Sequence, residues 1–272
     1  MDVVGPAAVL ADGLALEPSW LRVCSVRLSD QPTHRLVHFT DVHHKGDRKL
    51  LTEVIAHINA LQPDFACFTG DLIEEAQHLP EALEVLRRIR VPLYGVPGNH
   101  DYWANVDFKV IAETFKATGG AWLLDAAART ADGKCTITGL SCQSGYRPEL
   151  APGTRNVLLA HYPAWMKRFA GPRFDVTLAG HSHGGQIRLP GFGPLVVPWG
   201  VDEFDWGLFP TNFGPLYVNA GIGWQWKPAV TFSIDVNNLT NAPQSAYRGV
   251  SDRMEFKLFG GTTVTAGVNG RF

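Results

Sequence analysis

Apolar runs and amphipathic stretches alternate through the first half of the chain. Apolar positions at helical spacing after Asp47 predict an amphipathic helix, which Asp47 caps and Pro63 ends. Residues 35–40 and 65–69, on either side of this helix, are short and apolar, as is typical of buried strands. The alternation continues to Gly120 and indicates a sheet whose strands are joined by crossover helices.

The second half of the chain is richer in predicted strands. Further predicted elements are helices over residues 80–90 and 106–117 and strands over residues 92–96, 122–125, 134–139, 157–160, 176–179 and 216–219. Residues 188–215 are dense in proline, glycine and aromatic residues, which predicts an ordered long loop rather than a linker. Polar and apolar residues then alternate over residues 230–236 and 254–258, and each stretch predicts a strand with one apolar face.

Five polar motifs follow five of the predicted strands in chain order. They are Asp41-Val42-His43, Gly70-Asp71, Gly98-Asn99-His100-Asp101, the lone His161, and Gly180-His181-Ser182-His183. Because open α/β sheets bind their ligands at the carboxyl ends of strands, we expect these side chains to converge. Carboxylates, imidazoles and an amide without a thiolate form sites for divalent ions, and two adjacent ions are a device for phosphate ester hydrolysis.

The residue types in the motifs suit two metal ions. Two cations about 3.5–4 Å apart repel each other unless an anionic ligand bridges them, and Asp71 is the candidate bridge. Asp41 and His43 are separated by one residue, as are His181 and His183, so each pair can turn toward one metal. The amide of the third motif would ligate without adding negative charge. These ligands favour manganese, iron or zinc over copper, and Mn²⁺ is the expected ion.

The composition narrows the class of protein. The chain has 272 residues, 45% of them hydrophobic, and a formal net charge of −2, which suits one large α/β domain with an appendage. That charge gives no indication of a nucleic-acid-binding surface. The 4 cysteines form no CxxC pair and predict no disulfide. Residues 1–16 predict neither a signal peptide nor a transmembrane segment, so we expect a cytoplasmic protein, with peripheral membrane attachment left open.

The motifs together resemble those of the calcineurin-like metallophosphoesterases. The last one continues with Gly184-Gly185-Gln186, which is similar to the signature of a bacterial subgroup of that family. The resemblance covers residues 14–223 and all five motifs in order. It implies a four-layer α/β/β/α sandwich, with a catalytic domain over residues 1–228 and a short β-rich extension over residues 229–272.

The resemblance also implies a role for each motif. One metal would be bound by Asp41, His43, Asp71 and His183, and the other by Asp71, Asn99, His161 and His181. A hydroxide bridging the metals would attack phosphorus in line with the leaving group. His100 would stabilise developing charge or protonate the leaving oxygen, and Asp101 would orient the ring of His100.

Four further residues are candidates for substrate binding. His44 either faces the substrate or is a plain loop residue, because it points away from His43 if the backbone is extended. Tyr102 and Trp103 form either an aromatic wall for a leaving group or a packing surface for the third helix. Arg188 pairs either with phosphate or with a carboxylate at the rim.

The extension over residues 229–272 has a different character. Its alternating strands, glycine turns and terminal Phe272 resemble the last strands of a TonB-dependent outer-membrane receptor. Two such strands cannot close a barrel. We therefore expect the first strand to complete the sheet of the enzyme and the remainder to be a fusion remnant, with a private β-hairpin as the alternative.

The expected activity is hydrolysis of a phosphodiester or an activated phosphomonoester. The substrate would be a small molecule or a lipid-linked phosphoester. An alternative is a pyrophosphatase of a nucleotide-linked lipid of the UDP-2,3-diacylglucosamine type, since members of the subgroup act on such molecules. A non-catalytic scaffold is disfavoured because such a protein would lack some of the metal ligands, whereas all of them are present in these motifs. The sequence leaves the oligomeric state open.

Overall fold

The computed structural model describes most of the chain between residues 23 and 219 and four strands beyond it. The described residues are 23–28, 32–143, 145–169, 171–183, 187–189, 193–219, 231–237, 244–247, 254–258 and 263–269. Gly184, Gly185 and Gln186 of the last motif lie outside them. So does the side chain of Arg188, although its backbone belongs to a strand.

The first half of the chain forms a parallel sheet covered by helices. The strands, in spatial order, are β1 (Leu36–Phe39), β2 (Phe65–Phe68), β3 (Leu93–Gly95) and β4 (Ala121–Trp122). The helices that connect them are α1 (Arg48–Leu61), α2 (Leu79–Leu86), α3 (Asn99–Trp103) and α4 (Phe108–Ala117). The predicted alternation of strands and crossover helices is confirmed.

Helix α1 begins and ends where its sequence predicts. The carboxylate of Asp47 accepts a hydrogen bond from the backbone N–H of Leu50 at 3.0 Å, which satisfies an otherwise unpaired donor of the first turn. Gln62 ends the helix in the left-handed conformation with φ 48°. The apolar stripe of the helix, with Val54 and Ile58 among its buried members, faces the sheet.

The second sheet has six strands and runs through the second half of the chain. In spatial order they are β11 (Gly207–Thr211), β12 (Gly214–Val218), β8 (Val176–Ala179), β7 (Arg155–Ala160), β6 (Cys135–Gly139) and β5 (Ala126–Arg129). The four central strands are parallel, and the edge strands β5 and β11 are antiparallel to their neighbours. A short helix, α5 (Trp165–Arg168), follows β7.

The two sheets pack face to face. Tyr94 of the first sheet and Leu159 of the second belong to one buried cluster between them. Val54 and its neighbours join the helices to the outer face of the first sheet. Leu158 points to the opposite side of β7 from Leu159 and packs with Met166 of α5 on the outer face of the second sheet. The predicted α/β/β/α sandwich is therefore confirmed, and α5 is the described helix of its fourth layer.

Two segments expected to be loops contain regular structure. The third motif opens helix α3 instead of a simple loop. The predicted long loop holds a hairpin of β9 (Ile187–Leu189) and β10 (Gly193–Val196), and it also supplies the edge strand β11. Pro210 is tolerated in β11 because an edge strand has one side without a ladder partner.

The four described strands of the extension pair with one another. Strand β13 (Thr231–Asn237) is antiparallel to β16 (Thr263–Asn269), and β14 (Gln244–Tyr247) is antiparallel to β15 (Met254–Leu258). All 7 residues of β13 have backbone partners in β16. The expectation that the first strand completes the large sheet, and the domain boundary at residue 228, stay predictions. Within the described residues, no helix has the length and hydropathy needed to cross a membrane.

The packing between the sheets gives a stability prediction. Leu159 is 0% exposed, so Leu159→Ala should leave a cavity and lower the free energy of unfolding by about 2–5 kcal/mol. Urea denaturation measures this change. Leu208→Ala is the control, because Leu208 on β11 is 47% exposed and its removal should change stability by about 0.5 kcal/mol or less. Equal losses in both variants would contradict the described core.

Candidate metal centre

The five motifs converge because their loops leave neighbouring strands at the same edge of the two sheets. The loops after β1 and β2 are joined by a hydrogen bond from the N–H of Asp41 to the carbonyl of Gly70 at 2.9 Å. The loops after β7 and β8 are joined in the same way, from Gly180 to His161 at 3.2 Å. The sheets also meet here, since the N–H of His181 donates to the Asp41 carboxylate at 3.0 and 3.1 Å.

Tight turns bring the motif backbones into direct contact. Gly70 has φ 101°, and a Cβ at this position would lie 2.5 Å from the backbone nitrogen of Gly98. Five of the predicted metal ligands are also in the left-handed region, which costs about 1–2 kcal/mol for each residue that is not glycine. They are Asp41 (φ 51°), His43 (φ 44°), Asp71 (φ 61°), His181 (φ 67°) and His183 (φ 46°). Such strain persists only where the surrounding structure enforces it, as at functional sites.

The carboxylate of Asp71 lies at the middle of the site. Its Oδ1 accepts the backbone N–H of His100 at 2.8 Å. Its Oδ2 is buried and has no hydrogen-bond partner, and it lies 3.6 Å from His43 Nε2 and 3.3 Å from His161 Nε2. A buried carboxylate oxygen is costly unless a cation or donor compensates it. Oδ2 of Asp71 is therefore close to two separate groups of possible metal ligands, one that contains His43 and one that contains His161.

The first group contains Asp41, His43 and His183, whose ligand atoms all lie within 4.8 Å of one another. Glu74 accepts a hydrogen bond from His43 Nδ1 at 2.9 Å, so the lone pair of this ring is on Nε2. That Nε2 is buried and has no hydrogen-bond partner. Nε2 of His183 lies 3.8 Å from Oδ1 of Asp41, as two ligands of one ion would.

The second group contains Asp71, Asn99, His161 and His181. His161 Nδ1 donates to the Thr69 carbonyl at 2.7 Å, and His181 Nε2 donates to the carbonyl of Trp199 at 2.8 Å. The other nitrogens therefore carry lone pairs, yet they lie only 3.1 Å apart. Nε2 of His161 also lies 2.9 Å from Oδ1 of Asn99. These lone pairs repel one another unless a positive charge lies between them.

The electrostatic field of the site favours that positive charge. Burial would lower the pKa of His161, but the carboxylates of Asp71 and Asp41 raise it to about 9. Burial would likewise raise the pKa of Asp71, but the His161 and His43 rings hold it well below its usual range. A field that stabilises a proton on Nε2 of His161 also attracts a cation to that nitrogen. The unpaired atoms, the donor types and the field all fit divalent metal ions.

Comparison with known proteins agrees with this geometry. A family model described as calcineurin-like phosphoesterase matches residues 34–185, which is more than half of the chain. The chain belongs to the calcineurin-like phosphoesterase family. It is therefore a phosphoric ester hydrolase, and this family depends on a dinuclear metal centre.

Three relatives illustrate the range of the family. YkuE, an uncharacterised metallophosphoesterase of Bacillus subtilis, is 30% identical over 213 residues, which cover 71% of this chain and 73% of YkuE. The phosphodiesterase YaeI of Escherichia coli is 24% identical over 224 residues, covering 76% and 83% of the two chains. The UDP-2,3-diacylglucosamine pyrophosphatase LpxG of Chlamydia trachomatis is 27% identical over 288 residues, covering 78% and 86%.

In this phosphoesterase, His100 is oriented by Glu74. The ring of His100 is 4.5 Å from that of His43, and its Nδ1 lies 3.1 Å from the same Glu74 oxygen that His43 contacts. Glu74 was not among the residues predicted from the sequence. The sequence shows only that Glu74 is an acidic residue three positions after Asp71, and many acidic residues at such positions lie on the surface without a function.

The expectation that Asp101 orients the His100 ring is wrong. The Asp101 carboxylate accepts backbone hydrogen bonds from Asp71 at 3.0 Å, Leu72 at 2.9 Å and Gly98 at 2.9 Å. Asp101 is 0% exposed, and burial together with the nearby Asp71 raises its pKa to about 7. It fixes the two ligand-bearing loops to each other, because those three donors belong to both of them.

The four candidates for substrate binding differ in their exposure and in their contacts. His44 is buried and contacts Glu81 at 2.7 Å, so the substrate-facing interpretation of this residue is wrong. Tyr102 packs edge-on against Phe108 of α4 at 5.0 Å, which matches the packing alternative. Trp103 is 72% exposed and lies 4.7 Å from the His100 ring, and its role as an aromatic wall stays a prediction. The side chain of Arg188 lies outside the described residues.

The shared oxygen of Asp71 gives a prediction about metal content. Asp71→Asn should reduce the bound metal of the purified protein from two ions toward none, because the amide removes the charge between the two ligand groups. Elemental analysis measures the stoichiometry. Asp202→Asn is the control, since Asp202 is an exposed carboxylate that also has a left-handed backbone (φ 53°). Two ions still bound to Asp71→Asn would contradict the bridging role.

Proposed function

We propose that the protein hydrolyses phosphodiesters or activated phosphomonoesters, and that its natural substrates are small-molecule or lipid-linked esters. The observation that carries this proposal is the buried Oδ2 of Asp71, which lies 3.6 Å from Nε2 of His43 and 3.3 Å from Nε2 of His161. A single oxygen placed between two sets of lone pairs suits two ions that share one ligand.

The proposed ligand sets follow from these contacts. One ion would be bound by Asp41, His43, Asp71 and His183, and the other by Asp71, Asn99, His161 and His181. Manganese is the proposed ion, because carboxylate, amide and imidazole ligands suit it and the site offers no thiolate. When bound, such ions act as Lewis acids on the phosphate and lower the pKa of a water nucleophile.

The protein's own residues handle position and proton transfer. Hydrolysis forms one bond from water oxygen to phosphorus and breaks one ester P–O bond, and a proton of the water ends on the leaving oxygen. Glu74 keeps a proton on Nδ1 of His100, which leaves Nε2 to contact the substrate. In its imidazolium form His100 would also carry a proton on Nε2, which would stabilise charge on the phosphate or pass to the leaving oxygen, and the proton released by the water would replace it. Asp101 keeps the loop of His100 against the loop of Asp71.

A second candidate is hydrolysis of the pyrophosphate of a nucleotide-linked lipid of the UDP-2,3-diacylglucosamine type. The name of the Chlamydia trachomatis relative supports it, as do the exposed indoles of Trp103 and Trp199 beside the site. Release of UMP from that lipid distinguishes this activity from a general diesterase. The non-catalytic scaffold is disfavoured because every proposed ligand is present.

A substrate panel tests the proposed reaction. The apo-protein reconstituted with Mn²⁺, Zn²⁺ or Mg²⁺ should hydrolyse bis(p-nitrophenyl) phosphate and p-nitrophenyl phosphate, with the highest kcat/KM in Mn²⁺. Triesters should be unreactive, because they lack the anionic oxygens that two cations would bind. An Asp71→Asn preparation serves as the blank. No turnover of any ester with any of the three ions would overturn the proposal.

His100→Ala separates chemistry from metal binding. We expect the variant to retain both ions, because His100 is not in either ligand set, but to lose kcat by roughly 10²–10⁴-fold if His100 acts as a general acid. Glu74→Gln should also lower kcat, but by less than His100→Ala, since the His100 ring is still present but is oriented less firmly. Steady-state kinetics beside elemental analysis measures both effects. Unchanged turnover in His100→Ala would remove this residue from the mechanism.

A further inference from the structure

Two tryptophans stand out for their exposure. Among the large hydrophobic residues in the described part of the chain, Trp199 and Trp103 have the highest exposed fractions, 79% and 72%. An indole left in water forgoes the stabilisation that burial of so large an apolar surface would provide. Single exposed apolar residues need no explanation, but these two both adjoin the metal centre.

Each tryptophan lies near a different ligand group of the metal centre. The ring of Trp103 lies 4.7 Å from that of His100, which in turn lies 4.5 Å from the ring of His43. The carbonyl of Trp199 accepts a hydrogen bond from His181 at 2.8 Å. The ring of Trp103 therefore lies beside the first ligand group, and the backbone of Trp199 contacts the second.

The turn that carries Trp199 is held in place. Gly200 has φ 94°, and a Cβ there would lie 2.7 Å from Cδ1 of Tyr162. The carbonyl of Gly200 accepts the N–H of Ala164 at 2.9 Å. The Trp199 ring lies 5.7 Å from the Tyr162 ring, and that ring lies 4.5 Å from His181. A fixed backbone that presents an exposed indole binds a ligand with little loss of conformational entropy.

We propose that Trp103 and Trp199 are specificity-determining residues that bind an alkyl chain of a phosphodiester substrate. This inference rests on the proposed function and names its substrate class. The indoles offer broad apolar faces, and neither has an ion pair or a cation–π partner among the described contacts. An alkyl chain suits such open faces because it needs no hydrogen bond and gains free energy when it leaves water.

The test compares two diesters that share one leaving group. The full chain loaded with Mn²⁺ is assayed with p-nitrophenyl methyl phosphate and p-nitrophenyl octyl phosphate, both as monomers in solution. Wild-type kcat/KM should be roughly tenfold or more higher for the octyl ester, because part of the chain leaves water. The ratio of kcat/KM for the octyl ester to kcat/KM for the methyl ester should approach one in the Trp103→Ala, Trp199→Ala double variant. Trp103→Phe and Trp199→Phe should each retain part of the preference.

Trp206→Ala is the matched control. Trp206 is 40% exposed, and no ring contact joins it to a described ligand. The octyl-to-methyl ratio of kcat/KM in Trp206→Ala should equal that of the wild type. Because both esters undergo the same reaction, any change in the chemistry caused by a variant cancels in the ratio.

A binding measurement provides a readout that needs no turnover. Octyl phosphate should shift the intrinsic tryptophan emission of the wild type to shorter wavelength, as expected for indoles that leave water. The double variant should lose this shift, and Trp206→Ala should keep it.

The outcomes are distinct. If both esters are hydrolysed equally well by the wild type, or if the double variant keeps the wild-type ratio or the emission shift, this inference falls and the proposed function stands. If neither ester is hydrolysed, both fall together.

Discussion

The site depends on one oxygen atom, Oδ2 of Asp71, which is buried between the ring nitrogens of His43 and His161 without a hydrogen-bond donor. An ionised oxygen in that position costs several kcal/mol unless a positive charge compensates it. The left-handed backbones of the ligands add about 1–2 kcal/mol each. Metal binding is the interaction that would offset both costs. The stability of these loops is therefore coupled to the ions that the site attracts.

The two sheets make this arrangement possible. Parallel strands deliver their following loops to one edge, so residues far apart in sequence meet without long connections. The first sheet provides Asp41 and Asp71, and the second provides His161 and His181. The core between the sheets, which includes Leu159, sets their separation and with it the distances between ligands inside each group, because each group draws on both sheets. A site built across two sheets is therefore sensitive to packing well away from the metals.

The sequence predicts which side chains come together at the site but not the residues that orient them. Asp71 and His161 were predictable because a carboxylate or an imidazole directly after a buried strand has little structural reason to be there. The role of Glu74 depends on a loop path that no periodicity encodes. His44 was ambiguous because His43 is left-handed (φ 44°), which invalidates the alternation expected of an extended chain. Asp101 was misassigned because its neighbour His100 suggested a side-chain partner, whereas backbone donors surround it.

Glu74 joins the metal ligands to the residue proposed to act on the substrate. One of its oxygens lies 2.9 Å from Nδ1 of His43 and 3.1 Å from Nδ1 of His100. Because a carboxylate only accepts hydrogen bonds, each ring presents a protonated Nδ1 to Glu74, and its Nε2 lies on the side away from Glu74. Nε2 of His43 then faces Asp71, while Nε2 of His100 is left for the substrate. A shift of Glu74 would therefore move a metal ligand and the proposed proton donor together, so the two cannot be tuned independently.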